Sequence, residues 1–303
     1  MSYNAMRKRK KIDGVLLLDK PASISSNQAL QQARWLYQAE KAGHGGTLDP
    51  FATGLLPVLF GEASKFGRYF LDGDKAYEAT LAFGAETDTG DGTGTVIREA
   101  APPLLDAVDW VALCARFSGV QRQVPPAFSA LKVGGERAYA LARRGELSQL
   151  EAREVVIHEL RLLGVDDDGA RFFVRCGKGT YIRSLLRDMA AALGSAGHTR
   201  ALRRVEVAGL RAMTPLATLR GWQEAGDVAA LQAVLLPLDC CVAHLPRVVV
   251  PPEKLRFIRN GNDIAYDAPR GEVALYDGAQ FFGVGEGRDG RLFPLRLCAL
   301  AQA

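Results

Sequence analysis

Cysteine and histidine are both scarce in this 303-residue sequence, and neither forms a framework. The five cysteines (Cys114, Cys176, Cys240, Cys241 and Cys298) include no CxxC pair. An odd, irregular set argues against the disulfide scaffold of a secreted protein. The four histidines, at 44, 158, 198 and 244, show neither HExxH nor zinc-finger spacing, so no structural metal is expected. No apolar run reaches the roughly 20 residues that a membrane-spanning helix needs. The apolar stretch 15–18 behind the basic N-terminus is too short for a secretory signal core. The expectation is a protein of the reducing cytoplasm that does not touch a membrane.

Net charge is also small. Lys and Arg number 38 and Asp and Glu 34, for a formal charge of +4. Five of the positives are the run Arg7, Lys8, Arg9, Lys10 and Lys11, and the remainder carries 33 positives against 34 negatives. The folded body is therefore not basic, and any nucleic-acid binding must come from local patches, helped by the tail. The tail itself reads as a solvated terminus, compatible with loose phosphate contacts. Hydrophobic residues at 48% and charged residues at 24% are those of an ordinary globular chain, long enough to bury a core without staples.

Residues 14–18 read as a buried strand that ends at Asp19-Lys20-Pro21. Ser25 and Gln28 make a Ser-x-x-Gln capping box, and Leu30, Ala33 and Tyr37 then recur at helical spacing. Residues 77–83 read as a strand, 106–117 and 136–144 as helices, and 155–165 with 170–176 as a hairpin turning at Asp166-Asp167-Asp168-Gly169. A helix is expected over 181–193, before Gly194. No regular βαβ rhythm appears, which favours an α+β fold over a doubly wound sheet. Near Leu245 the character changes. Pro246, Pro251 and Pro252 flank three valines, and short strand-like runs follow at 272–276, 280–285 and 292–300. These predict a large α+β domain at 1–244 and a small β-rich, barrel-like domain at 245–303.

The stretch Gly43-His44-Gly45-Gly46-Thr47-Leu48-Asp49-Pro50 is the most informative. Three glycines permit positive φ and close approach to a ligand, and Pro50 biases Asp49 away from the helical region. One carboxylate is thus presented on a constrained loop beside one histidine, as suits a nucleophile or base; by itself, an Asp in such a loop is more often a turn former. The stretch is not a P-loop, because GxxxxGK[ST] is missing. Neither is it a dinucleotide fingerprint, because Leu48 stands where a third glycine is required. The loop 87–94 fails as an EF-hand, since Gly90 falls on a ligand position, and reads as a turn or an RNA-facing edge.

Several segments, in order, carry a resemblance. They are 14–21 (GVLLLDKP), 43–50 (GHGGTLDP), 52–57 (ATGLLP), 61–66 (GEASKF), 74–77 (DKAY), 87–89 (TDT), 129–132 (SALK) and 177–183 (GKGTYIR). In these the sequence resembles the TruB family of tRNA pseudouridine synthases, over at least residues 14–204. The resemblance implies isomerisation of uridine 55 in the tRNA T-loop, with no metal or organic cofactor, by a monomeric enzyme whose C-terminal module is PUA-like and binds RNA. It assigns Asp49 as the nucleophile and Arg183 as its ionic partner. Tyr77 would stack on the target uracil, His44 and Tyr181 would line the site, and Leu202, before Arg203 and Arg204, would form an apolar wall. One departure is Gly45, where the family usually has Thr.

Breaking N1–C1′ and joining C5 to C1′ involves no redox change, and a carboxylate can serve as nucleophile or base. The base must leave the stack, and a tyrosine supplies a face for it. From the residues alone, Arg183 reads as a surface side chain, Tyr77 and Leu202 as core, His44 as a turn filler, and Lys20 and Lys65 as solvated. Two other functions are weighed against the stand-alone enzyme. One is a guide-RNA-dependent pseudouridine synthase within a ribonucleoprotein; the other is a catalytically silent tRNA chaperone.

Overall fold

The run GVLLLDK has apolar side chains on both strand faces, so it requires cover on both sides. In the computed structural model it is the strand Gly14–Lys20, and each face meets a different partner. Leu16 and Leu18 pack with the helices Ser26–Tyr37 and Leu216–Glu224. Val15 and Leu17 point the other way, into a core shared with Ala274, Tyr276 and Val284 of the C-terminal sheet. The structure describes residues 9–299 apart from 130, 134, 138–140, 142–143, 147–149 and 168.

The large sheet is mixed. Its central order runs Thr214–Pro215, Gly14–Lys20, Thr53–Phe60, Gly197–Val207, Lys75–Phe83, Gly169–Cys176, Arg153–Asp166 and Gly119–Gln123. Two contacts are parallel, Gly14–Lys20 with Thr214–Pro215 and Thr53–Phe60 with Gly197–Val207; the other neighbours along this path are antiparallel. Beyond the parallel seam, Ala79, Leu81, Phe172, Val174 and Leu202 present one apolar face to the helix Ile182–Ala192. A second, five-stranded sheet is built from Arg247–Val249, Gly271–Asp277, Gln280–Arg288, Arg291–Leu297 and Ile264–Ala265. The fold is α+β with a curled C-terminal β unit.

The Ser25 capping box forms as its spacing predicts, with the Gln28 amide donating to the Ser25 hydroxyl at 3.1 Å and the Ser25 amide to Gln28 Oε1 at 2.8 Å. Other expectations change. The helix expected at 106–117 is a 3-10 turn, Leu105–Ala107, then a helix, Trp110–Arg116, which starts late because the Asp109 carboxylate caps the Ala112 amide at 2.9 Å. At 136–144 the first two residues are instead a strand, Glu136–Arg137, paired with Lys132–Val133; 138–140 and 142–143 lie outside the described residues. Cover for the N-terminal strand and for the C-terminal sheet includes two helices with no expectation attached, Leu216–Glu224 and Pro252–Arg259. The basic run is anchored at its end, since the Lys10 amide donates to the Gln38 carbonyl at 2.8 Å and the Glu40 amide to the Lys10 carbonyl at 3.0 Å.

Candidate active site

The loop 45–52 crosses the end of the parallel seam, and its backbone is tied down on the side away from Asp49. The Arg204 guanidinium donates to the carbonyls of Gly46 at 3.1 Å and Thr47 at 3.4 Å. The Ser26 hydroxyl and Leu48 exchange two hydrogen bonds, at 2.9 and 2.7 Å. The Pro50 carbonyl accepts from the Ser23 amide at 2.8 Å and from Lys20 Nζ at 3.3 Å. Among the three glycines only Gly46 has positive φ, at 129°. Gly45 is required for a different reason. A Cβ there would stand 2.5 Å from Phe70 Cβ, so the aromatic ring fills the space a threonine would use.

Asp49 keeps about a third of its side-chain surface exposed (33%), while Arg183 is buried (4%). Arg183 Nε lies 2.9 Å from Asp49 Oδ2. Its other nitrogens are engaged elsewhere: Nη1 donates to the Thr89 carbonyl at 2.5 Å and Nη2 to the Phe128 carbonyl at 2.9 Å. The surface reading of Arg183 is thus overturned. The guanidinium meets Asp49 through a single nitrogen, because its fork spans two loops.

Asp91, which the sequence reading left in a turn, is the second acid here. It is 4% exposed and its Oδ2 lies 3.7 Å from Arg183 Nη1. Its Oδ1 accepts from the Thr89 hydroxyl at 3.0 Å, the Thr93 amide at 2.9 Å and the Thr93 hydroxyl at 2.5 Å. One buried cation therefore serves two carboxylates. Burial pushes the Asp49 carboxyl up; Arg183 and Lys20 oppose that push, and Asp91 adds to it.

Lys20 corrects the expectation of a solvated side chain. It is fully buried, and its ammonium donates to the carbonyls of Pro21 and Ile24, both at 2.8 Å, besides Pro50. Burial lowers its pKa to about 8, against the pull of Asp49. Lys65 is half-buried, paired with Glu62 at 2.7 Å and with the Leu297 carbonyl at 3.0 Å.

The remaining expected residues gather around this centre. Tyr77 lies in Lys75–Phe83, in register with Arg204 across the strand pair, and packs on the same apolar cluster as Leu48 and Leu202. Burial pushes its phenol up, with Arg204 opposing. Leu202 is buried in that cluster, so its packing role is real whatever else it touches. Tyr181 precedes the first turn of Ile182–Ala192, and its amide donates to Gln123 Oε1 at 2.7 Å. His44 ends the Ala42–His44 strand, and its buried Nδ1 has no hydrogen-bond partner among the described residues. Burial, then the nearby Arg204 charge, lower its pKa and keep the ring neutral near pH 7. Among the described residues no cluster of three or more His, Cys, Asp or Glu could hold a metal ion.

Sequence reasoning missed Asp91, Gln123 and the anchoring roles of Lys20 and Arg204. For Asp91 a local signal existed. Thr89, Asp91 and Thr93 alternate with Gly90 and Gly92, a pattern in which an Asp receives neighbouring hydroxyls.

Comparison with known proteins gives a family. The model described as TruB family pseudouridylate synthase (N terminal domain) matches residues 34–182. That described as Pseudouridine synthase II TruB, C-terminal, matches residues 246–298. The tRNA pseudouridine synthase B of Chromohalobacter salexigens is 46% identical over 282 residues, covering 90% of each chain. Its namesake from Chromobacterium violaceum is 46% identical over 299 residues, covering 96% of each. Among solved structures, a Cbf5-Nop10-Gar1 complex aligns with a TM-score of 0.69 at 24% identity, over 90% of this chain and 78% of the other. An H/ACA RNP bound to a substrate RNA aligns with a TM-score of 0.70 at 21% identity, over 96% and 85%. At such identities these two structures establish the fold alone.

Proposed function

From the premise that this chain belongs to the TruB family of pseudouridylate synthases, we propose that it isomerises uridine 55 in the T-loop of tRNA to pseudouridine. Asp49 is the carboxylate that begins bond exchange at C1′. The enzyme class, a tRNA pseudouridine synthase, follows from the family and from relatives that match along nearly the whole chain. The observation that carries the finer reading is the 2.9 Å pair of Arg183 with a partly exposed Asp49 on a backbone fixed from behind.

The chemistry follows from that arrangement. The uridine leaves its stack and enters beside Asp49, with its ring against Tyr77. Arg183 holds the carboxylate ionised and aimed through a charge-assisted contact. As nucleophile at C1′, or as the base that starts glycal formation, Asp49 promotes departure of the uracil. The base turns within a pocket bounded by His44, Tyr181 and Leu202 and rejoins C1′ through C5, which returns Asp49 to its free carboxylate; C5 then loses its proton and N1 takes one up, so the product is an isomer of the substrate. Residues 1–244 carry this chemistry, and 245–303 contribute tRNA affinity. The enzyme works as a monomer in the cytoplasm, on tRNA and without a guide RNA.

Asp49→Asn tests the assignment. The amide keeps size but is neither basic nor a useful nucleophile. The variant should bind tRNA with near wild-type affinity, since affinity rests on many backbone contacts. It should release no tritium from C5-labelled uridine and form no pseudouridine. Multiple turnover by the purified Asn variant would overturn the role given to Asp49. Pseudouridine mapping in bare tRNA treated with pure wild-type protein tests the position and the independence from a guide.

A further inference from the structure

Arg204 is the bulkiest of the fully buried side chains, at 1% exposure, and among the described residues no carboxylate pairs with it. Its neighbour in sequence contrasts with it. Arg203 is 41% exposed at the side chain and forms a fork with Asp19, at 3.0 and 2.7 Å. A guanidinium withdrawn from water is costly unless fixed acceptors replace its hydration. Here the acceptors are three main-chain carbonyls, Leu55 at 2.7 Å, Gly46 at 3.1 Å and Thr47 at 3.4 Å, and the guanidinium also interacts with the Tyr77 phenol on the neighbouring strand.

These three carbonyls belong to two segments. Leu55 lies in the Thr53–Phe60 strand, whereas Gly46 and Thr47 begin the loop that carries Asp49. One glycine admits the arginine's backbone. A Cβ at Gly54 would stand 2.2 Å from the Arg204 carbonyl oxygen, so only glycine lets the two backbones meet there. Gly46, whose carbonyl the guanidinium meets, is glycine for its positive φ of 129°; a Cβ there would make only ordinary contact with Arg204 Nη1, at 3.6 Å. Leu48, next to Asp49 on the same flank, is held by Ser26, and Pro50 on the other flank by Ser23 and Lys20. Thus, on the flank leading into Asp49, Arg204 is the side chain that grips Gly46 and Thr47, between the Gly45 amide on the Pro57 carbonyl and Ser26 on Leu48.

We propose that Arg204 is a positioning residue for the reaction: its buried guanidinium clamps the Gly46–Thr47 backbone to the Thr53–Phe60 strand and so sets the aim of Asp49. This rests on the reading of Asp49 as the reacting carboxylate. A reacting group displaced by about 1 Å loses on the order of 100-fold in rate. A clamp on its backbone should therefore act on turnover and leave substrate binding intact. A fork is required, because Leu55, Thr47 and Gly46 are each met by a different nitrogen of the planar guanidinium, a spread that the single point of an ammonium does not reproduce.

The test uses the full chain with Arg204→Lys, which keeps charge without the fork, and Arg204→Gln, which removes the buried charge. The single-turnover rate at saturating tRNA, the Kd for tRNA and amide hydrogen exchange in the free protein are compared with wild type. The expected result is a rate lower by roughly 100-fold in Arg204→Lys with Kd little changed. Exchange should accelerate over residues 46–52 while the Lys75–Phe83 strand keeps its protection. A near wild-type saturating rate in either variant overturns the proposal. So does acceleration of exchange to the same degree in both segments, or failure of both variants to fold, since Arg204 would then support the fold at large. Wild type run alongside separates the two readings. If it forms no pseudouridine in tRNA, the proposed function fails, while exchange over 46–52 still decides whether Arg204 holds the loop.

Discussion

Asp49 faces Arg183 directly, with Asp91 behind the guanidinium, and this arrangement makes opposite predictions for two variants. Burial and Asp91 raise the Asp49 carboxyl above its ordinary range, and Arg183 lowers it. With Asp49 as the proposed reacting carboxylate, it is the ionised form that acts, so the acid limb of the saturating rate should lie above that of a free aspartate. Asp91→Asn removes the like charge and should move this limb to lower pH. Arg183→Gln removes the partner and should move it to higher pH, while cutting the rate. Single-turnover rates between pH 4 and 8 check both signs. Arg183→Lys should reduce turnover by roughly 10–100-fold, much more than it weakens binding. An ammonium cannot serve Asp49 and the carbonyls of Thr89 and Phe128 together. Near-normal turnover in that variant would remove Arg183 from its assigned place. At this scale the sequence was legible for Asp49, because its constraint is its neighbour Pro50. It was not legible for Lys20, whose charge reads as solvated, or for Arg204, to which no role is assigned, until the fold surrounds them with carbonyls.

Among the elements, the loop 45–52 combines short-range chemistry with long-range fit. Gly45 lies where the family usually has threonine, and Phe70, in the helix Gly67–Asp72, occupies the vacated volume. Gly45→Thr should destabilise the protein by about 1–3 kcal/mol through overpacking. Adding Phe70→Ala should recover part of that loss, and thermal melts of the single and double variants give the coupling. The helix Ser26–Tyr37 and the hairpin of Arg153–Asp166 with Gly169–Cys176 were readable because capping boxes and turns are written within a few residues. The central strand Gly197–Val207 was not. Its Arg203, Arg204 and Glu206 break the apolar pattern of a buried strand. Yet Glu206 is 3% exposed, paired with Arg175 and Arg211, each at 2.6 Å.

For the whole molecule, the shared core changes what truncation means. Phe66 meets Phe281 edge-on at 5.3 Å between ring centres, Arg68 pairs with Glu272 at 2.6 Å, and the Tyr69 hydroxyl donates to Glu272 at 2.7 Å. Cutting after Ala243 would therefore uncover Val15, Leu17 and Phe66 as well as remove the proposed RNA-binding accessory. The truncated chain should melt several degrees lower and bind tRNA more weakly. The saturating rate of the molecules that remain folded should stay within a few-fold of wild type. Loss of that rate with the fold intact would place part of the chemistry in 245–303. At the other end, Lys10 is bonded to the segment 38–40, so the basic run is best shortened by removing residues 1–8. That deletion should lower the salt dependence of tRNA binding by up to about two counter-ions, one each for Arg7 and Lys8. An unchanged slope would leave both residues clear of the RNA.

The sequence by itself determined the α+β class, the change of character near Leu245, the glycine-framed presentation of Asp49 and the ordered motifs that resemble one family. Each of these is encoded by neighbours in the chain or by composition. Only the tertiary structure decided that Arg183 reaches Asp49 through Nε while its fork serves Thr89 and Phe128. It alone decided that Asp91 shares the cation, that Phe70 fills the space beside Gly45, and that Arg204 lies buried with no carboxylate partner among the described residues. The reason is physical. The state of a charged side chain is set by which distant groups exclude water around it and which acceptors replace that water, and residues far apart in the chain supply both.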